Sequence, residues 1–133
     1  VEGSALVRGA GGKGGTGAES RGSKKGESAF KRIAADSIVI VSLMNPKEKF
    51  WGVIQEINQF GVQIRGIDLN AVIDWAREIS KDEVPTMGLT TIFFPLTRLE
   101  KIFLDESVGS VKSLTEQFKD ITGRSVMEFL RGT

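Results

Sequence analysis

The tightest constraint on this chain is the connection Gln59-Phe60-Gly61, which separates two β-rich runs by three residues. Runs joined that closely leave no room for a crossover, so they pair antiparallel as a hairpin. The run before the connection, 49–58 (KFWGVIQEIN), carries Gly52 in its interior. An interior glycine in a strand marks a bend or a close approach of two backbones. The run after it, 62–68 (VQIRGID), reads as the third strand. The first strand, 37–43 (SIVIVSL), is a β-branched run ended by the turn signal Met44-Asn45-Pro46. The folded part of the chain therefore starts as a meander.

Asn70 interrupts that pattern. It is a favoured helix N-cap, and Val72, Ile73, Ala76 and Ile79 follow at helical spacing with Asp74, Arg77 and Glu78 between them. The spacing predicts an inserted helix over 71–80, with the whole insertion spanning 70–80. Two further strands follow, 89–94 (LTTIFF) and 98–104 (RLEKIFL), with Pro95 at the bend between them, where a missing N–H does least harm. The period then changes again. Ser113 with Glu116 and Ser125 with Glu128 read as two capping boxes, and Gly123 between them reads as a helix C-terminus. Leu114, Phe118 and Ile121 share a face in the first helix; Val126, Phe129 and Leu130 share one in the second. Residues 27–35 are expected to add a turn or two of helix, with Phe30 and Ile33 inward.

Only part of the 133 residues can contribute to such a fold. Nine of the 16 glycines lie in residues 1–29, a stretch with no aromatic residue and no apolar periodicity. A segment of that kind buries too little surface to offset chain entropy, so 1–29 is expected to be a disordered, Gly-rich tail. It is also basic: residues 1–33 carry seven basic and three acidic side chains, against 11 and 14 in the remainder. Residues 30–133 are left as one domain, with the strands over 37–105 and the C-terminal helices over 113–131. Because the chain begins at Val1 rather than Met, residues 1–10 are open to processing or addition.

The inventory of chemical groups excludes much. With no Cys there are no disulfides, thiolate metal sites or cysteine nucleophiles, and with no His the usual neutral-pH proton shuttle is missing. The carboxylates of Glu56 and of Asp105-Glu106 are read as solvated groups, and no D-x-D-x-D-G loop or nucleophile elbow is present. The expectation is a protein that is not an enzyme, with no cofactor and no metal. The longest aliphatic run, Ile38-Val39-Ile40-Val41, is far below the roughly 20 residues of a membrane span, and no secretory signal opens the chain. A cytoplasmic chain that engages no membrane is the expectation.

Within the tail, Gly11-Gly12-Lys13-Gly14-Gly15-Thr16-Gly17 resembles the deviant phosphate loop of chromosome-partitioning ATPases. The position of the phosphate-binding lysine is Ala18, however, and Glu19 follows it. No strand precedes the segment and no apolar-periodic helix follows, so the phosphate cradle lacks its supports. It reads as linker.

Five short strands in meander order, the second one bent, suggest a small barrel closed on itself. The segments 37–68 and 89–104 resemble the Sm-like small-barrel superfamily. The residues that carry the likeness are Ile38-Val39-Ile40-Val41, Gly52-Val53-Ile54-Gln55-Glu56-Ile57, Gly61-Val62-Gln63-Ile64-Arg65-Gly66 and the stretch from Ile92 to Ile102. Other SH3-like barrels share most of this pattern. The resemblance implies a β-rich α+β fold: a five-stranded small barrel, Sm-like or SH3-like, with an inserted helix and a C-terminal helical pair. It does not extend to the family's RNA site. The loop Asn58-Gln59-Phe60-Gly61 has no Asp and Asn pair, and Arg65-Gly66 ends the third strand instead of following the fourth.

Two functions from different classes follow. In the first, the protein is a non-catalytic binding or assembly module that forms homo-oligomers and can engage other proteins. Ile92, Phe93 and Phe94, and again Ile102, Phe103 and Leu104, make both faces of the last two strands apolar, so something must cover the outer one. In the second, the barrel and the basic tail bind RNA or DNA, with Arg65, Arg98, Lys101, Lys24 and Lys25 as phosphate contacts beside Phe94 and Phe103. Core phenylalanines and a solvated strand face explain the same residues without a ligand. Trp51 and Trp75 read equally as partner anchors or as core under the inserted helix.

Overall fold

The computed structural model describes residues 30–131, so the glycine-rich segment 1–29 and its disorder expectation lie outside the described residues. The chain divides after Arg32, and every regular element belongs to the unit that begins at Ile33. Five strands, β1 (Ile38–Leu43), β2 (Glu48–Asn58), β3 (Gly61–Asp68), β4 (Thr90–Pro95) and β5 (Leu99–Leu104), form one antiparallel sheet in the order β4-β3-β2-β1-β5. Helix α1 (Val72–Ser80) follows β3 after a 3-10 turn, Leu69–Ala71, and α2 (Leu114–Thr122) and α3 (Met127–Leu130) close the chain. The class is β-rich α+β. The ladder is open between β4 and β5.

The β2–β3 connection behaves as a hairpin because Asn58 caps it: its side-chain oxygen accepts from the Phe60 N–H at 2.8 Å and from the Gly61 N–H at 3.3 Å. Asparagine favours such turns because its amide reproduces a backbone acceptor. Further along the same pair, Gly52 and Gly66 lie directly opposite each other. A Cβ on Gly52 would fall 2.3 Å from the Arg65 carbonyl oxygen, and one on Gly66 would fall 2.0 Å from that of Trp51. The two backbones approach here in a way that only glycine allows.

Both faces of the sheet are buried in its middle. On one, Trp51, Val53 and Ile67 pack with Val72, Trp75 and Ala76 of α1, Phe118 of α2, and Val126 and Leu130 at α3. Fully burying a large apolar side chain contributes about 1.5–3 kcal/mol, so this layer fixes the helices on the sheet. The Trp75 ring sits 5.2 Å from Phe118 and 5.8 Å from Phe129. The other face holds Val39, Val41, Leu43, Ile54, Val62, Ile64 and Phe94, flanked by Phe50, Ile92, Leu99, Ile102 and Leu104. Every one of these residues belongs to a strand, so the sheet covers this face with its own side chains. Phe50 of β2 meets Phe94 of β4 edge-on, 5.2 Å between centroids.

Several local expectations are corrected. Asn70 is not the cap of α1: Asp68 Oδ1 accepts from the Asn70 N–H at 2.8 Å and caps the 3-10 turn instead. Helix α1 then has Ala71 at its N-cap, which makes no side-chain cap bond, and Trp75 replaces Ile73 on its buried stripe. Ser113 does cap α2, accepting from the Glu116 N–H at 3.0 Å, and Gly123 ends it at φ 73°. The second capping box does not form. Ser125 Oγ accepts from Met127 at 3.3 Å, while Glu128 turns back to pair with Arg124 at 2.8 Å. Residues 30–35 form no helix; Phe30 and Ile33 are exposed, and the turn before β1 is tied by the Ala34 N–H donating to Ser37 Oγ at 3.0 Å. Trp51 and Trp75 are both buried, so they serve as core. No helix among the described residues is long and apolar enough to cross a membrane.

Candidate functional site

The two edge strands leave part of the sheet unfinished, and the apolar side chains Phe60, Val84, Val108 and Val111 are exposed elsewhere on the surface. β4 pairs only with β3, and β5 only with β1, so each presents one unpaired backbone edge. Alternation along β4 turns Ile92 and Phe94 toward the strand-lined core and Phe93 outward. In β5 it turns Ile102 and Leu104 inward and Phe103 outward. Of the six residues expected at an assembly surface, four therefore contribute to the core, with Phe94 buried there. The outer pair remains: Phe93 is 47% exposed and Phe103 38%. Neither belongs to the layer under the helices, which stops at β1, β2 and β3.

Each outward phenylalanine has apolar company. The Phe93 ring lies over Gly61, whose added Cβ would come within 2.8 Å of Phe93 Cζ. Phe60 and Leu96 are exposed beside it, their backbones joined by the Leu96 N–H donating to the Phe60 carbonyl at 3.0 Å. Phe103 borders a groove of about 400 Å³ that includes Val108, Val111 and Leu114. Exposed apolar patches on edge strands are templates for association.

Of the residues expected to hold nucleic acid, the structure describes Arg65, Arg98 and Lys101. Lys24 and Lys25 lie outside the described residues. Arg98 is engaged as a clamp: Nη1 donates to the carbonyls of Met44 at 2.7 Å and Pro46 at 2.9 Å, and Nη2 pairs with Glu48 at 2.9 Å. It ties the β1–β2 turn to the start of β5. Arg65 lies on β3, half-buried, with a buried Nε that has no hydrogen-bond partner. Lys101 lies on β5 opposite Ser42, with β1 and β2 between it and the strand of Arg65.

Asp105 is the residue the sequence misplaced. Its carboxylate accepts from the indole N–H of Trp51 at 3.0 Å, from the backbone N–H groups of Leu114 and Thr115 at 2.8 Å each, and from Thr115 Oγ1 at 2.7 Å. It is no solvated strand end. It fastens the first turn of α2 to the end of β5 and to the buried core, and so shapes the groove beside Phe103. No local signal in the sequence marks it, because the helix turn whose free N–H groups it satisfies begins nine residues later.

Ser42 is the one buried polar residue among those described, and its hydroxyl donates to Glu100 Oε1 at 2.7 Å. That bond, with smaller help from Lys101, Lys47 and Lys49, holds the Glu100 carboxyl below the ordinary glutamate range. A carboxyl depressed in the folded state stabilises the fold above its ordinary titration range and loses that contribution as pH falls through the lowered value. Ser42→Ala is expected to move the Glu100 titration upward, toward the ordinary range, as read by carboxyl-carbon NMR. An unchanged midpoint would show that the hydroxyl is not the cause.

No protein-family model matches the chain, and no curated protein or solved structure matches it.

Proposed function

We propose that this chain is a non-catalytic assembly module of Sm-like barrel type, which joins copies of itself through the free edges of β4 and β5. The observation that carries the reading is the placement of the helices. They bury Trp51, Val53 and Ile67 in the middle of the sheet and leave Phe93 and Phe103 outside. The apolar outer faces of the edge strands are thus only partly covered within the described residues, and a second copy completes the cover. The strand-only core on the opposite face supports the curled, barrel-like form that the reading requires. Pairing one edge strand with the other edge of a neighbour is a heterologous contact, which closes into a ring or runs on as a filament.

Phe93→Glu and Phe103→Glu, made separately, test the reading. Each places a charge at a contact that must be desolvated, at a site exposed enough for the single chain to keep its fold. Each variant is expected to lower the mass measured by light scattering, with an unchanged circular dichroism spectrum. Two variants that remain folded and fully assembled would overturn it.

A further inference from the structure

The irregularity in β5 builds a feature that neither the core nor the edges use. Ser42 lies opposite Lys101, while Leu43 lies opposite Leu99, so Glu100 is the extra residue of a bulge. A bulge re-aims a side chain that strict alternation would send to the other face. Here it brings Glu100 to the hydroxyl of Ser42 at 2.7 Å. The partner of Ser42 on its other side is Lys49, so both of its cross-strand neighbours are lysines. Lys47 and Asn70 complete this part of a cleft of about 400 Å³.

The charges of the cleft are unbalanced. Glu48, at its rim, is paired with Arg98 at 2.9 Å. Among the described residues, Lys47, Lys49 and Lys101 form no ion pair. Three lysines therefore line the cleft beside one carboxylate that has no ion pair, that of Glu100, whose Oε1 accepts from Ser42. Like charges gathered on neighbouring strands are destabilising, and a bound anion removes that cost. Lysine ammoniums act as point charges toward phosphate, and three of them suit a dianion better than a single carboxylate. The volume lies in the range of small-ligand sites and exceeds what bare phosphate would fill. Glu100 has a second oxygen with which to accept from a ligand hydroxyl.

We propose that this cleft binds a small phosphorylated polyol, with Lys47, Lys49 and Lys101 on the phosphate and Glu100 on a hydroxyl. All of these residues come from one chain, so the site needs no second copy to be complete.

Titration of the full chain with ribose 5-phosphate at low ionic strength, followed by amide NMR, tests it. Saturable shifts are expected at residues 42–49 and 99–101. Lys49→Gln and Lys101→Gln should each weaken binding about fivefold, the scale of one unit-charge contact in water. Glu100→Gln keeps an acceptor and removes the opposing charge, so it should tighten binding by a similar factor. All three side chains are on the surface, so the variants keep the fold. A titration that does not saturate would overturn the proposal, as would affinities that ignore the lysine changes. Binding of a single-stranded oligonucleotide in place of the sugar phosphate would overturn it too.

Discussion

Gly52→Val is expected to destabilise the protein by about 3 kcal/mol or more, the upper end of what overpacking costs. Valine has the higher strand propensity, but that scale spans only about 1 kcal/mol. The steric term is larger because the obstacle is backbone. The new Cβ would meet the Arg65 carbonyl oxygen at 2.3 Å and the Gly66 Cα at 2.7 Å, and neither can rotate away. Relief requires β2 and β3 to separate at their point of closest approach, which opens the face that Val39, Ile54 and Ile64 fill. Gly88 supplies the control, since a Cβ there meets nothing within 4 Å. Gly88→Ala should change stability by no more than about 0.5 kcal/mol, as surface substitutions do. Urea unfolding of the two variants decides the matter. Equal midpoints would mean that the close approach of the two strands contributes nothing to the fold.

Asp105→Ala carries the second large effect, a loss of about 3 kcal/mol, since bonds to a charged acceptor are worth about 1.5–3 kcal/mol each and are not additive. Of the four donors it serves, the Trp51 indole N–H is the most costly to abandon. Trp51 is fully buried, so water cannot replace the lost oxygen. The N–H groups of Leu114 and Thr115 lie nearer the surface and recover part of their loss from solvent. A double-mutant cycle with Trp51→Phe isolates the indole bond, with a coupling of about 1 kcal/mol or more expected. Additive effects of the two substitutions would place the role of Asp105 in the α2 turn alone.

The strands were legible because each is a short apolar run bounded by turn chemistry, and because Gln59-Phe60-Gly61 leaves only one way to pair β2 with β3. Gly52 is legible as a bend or a close approach, and the structure shows the close approach. Its partner is not legible: Gly66 sits in a β-rich run, and only the register shows the two glycines face to face. Asp105 escaped for a related reason. Its partners are Trp51, 54 positions earlier, and a helix turn that folds back onto the strand end, and neither contact has a local signature. At Asn70 two caps competed within three residues, and Asp68 prevailed because the chain enters α1 through a 3-10 turn.

The apolar runs of the edge strands were read as two apolar faces, and the structure separates them. Ile92, Phe94, Ile102 and Leu104 point to the core, and a single phenylalanine on each strand points out. Residue type alone does not show that Arg98 is held by Met44, Pro46 and Glu48. The groups that do converge, Ser42 and Glu100 with their lysines, depend on a one-residue bulge. No pattern of hydropathy marks its position.

The mass of the unmodified chain in solution tests the assembly reading most directly. Gel filtration coupled to light scattering, at high micromolar concentration, is expected to give a species of several times 14.5 kDa. A single 14.5 kDa species under those conditions would contradict it, because the exposed parts of Phe93 and Phe103 would then stay in contact with water.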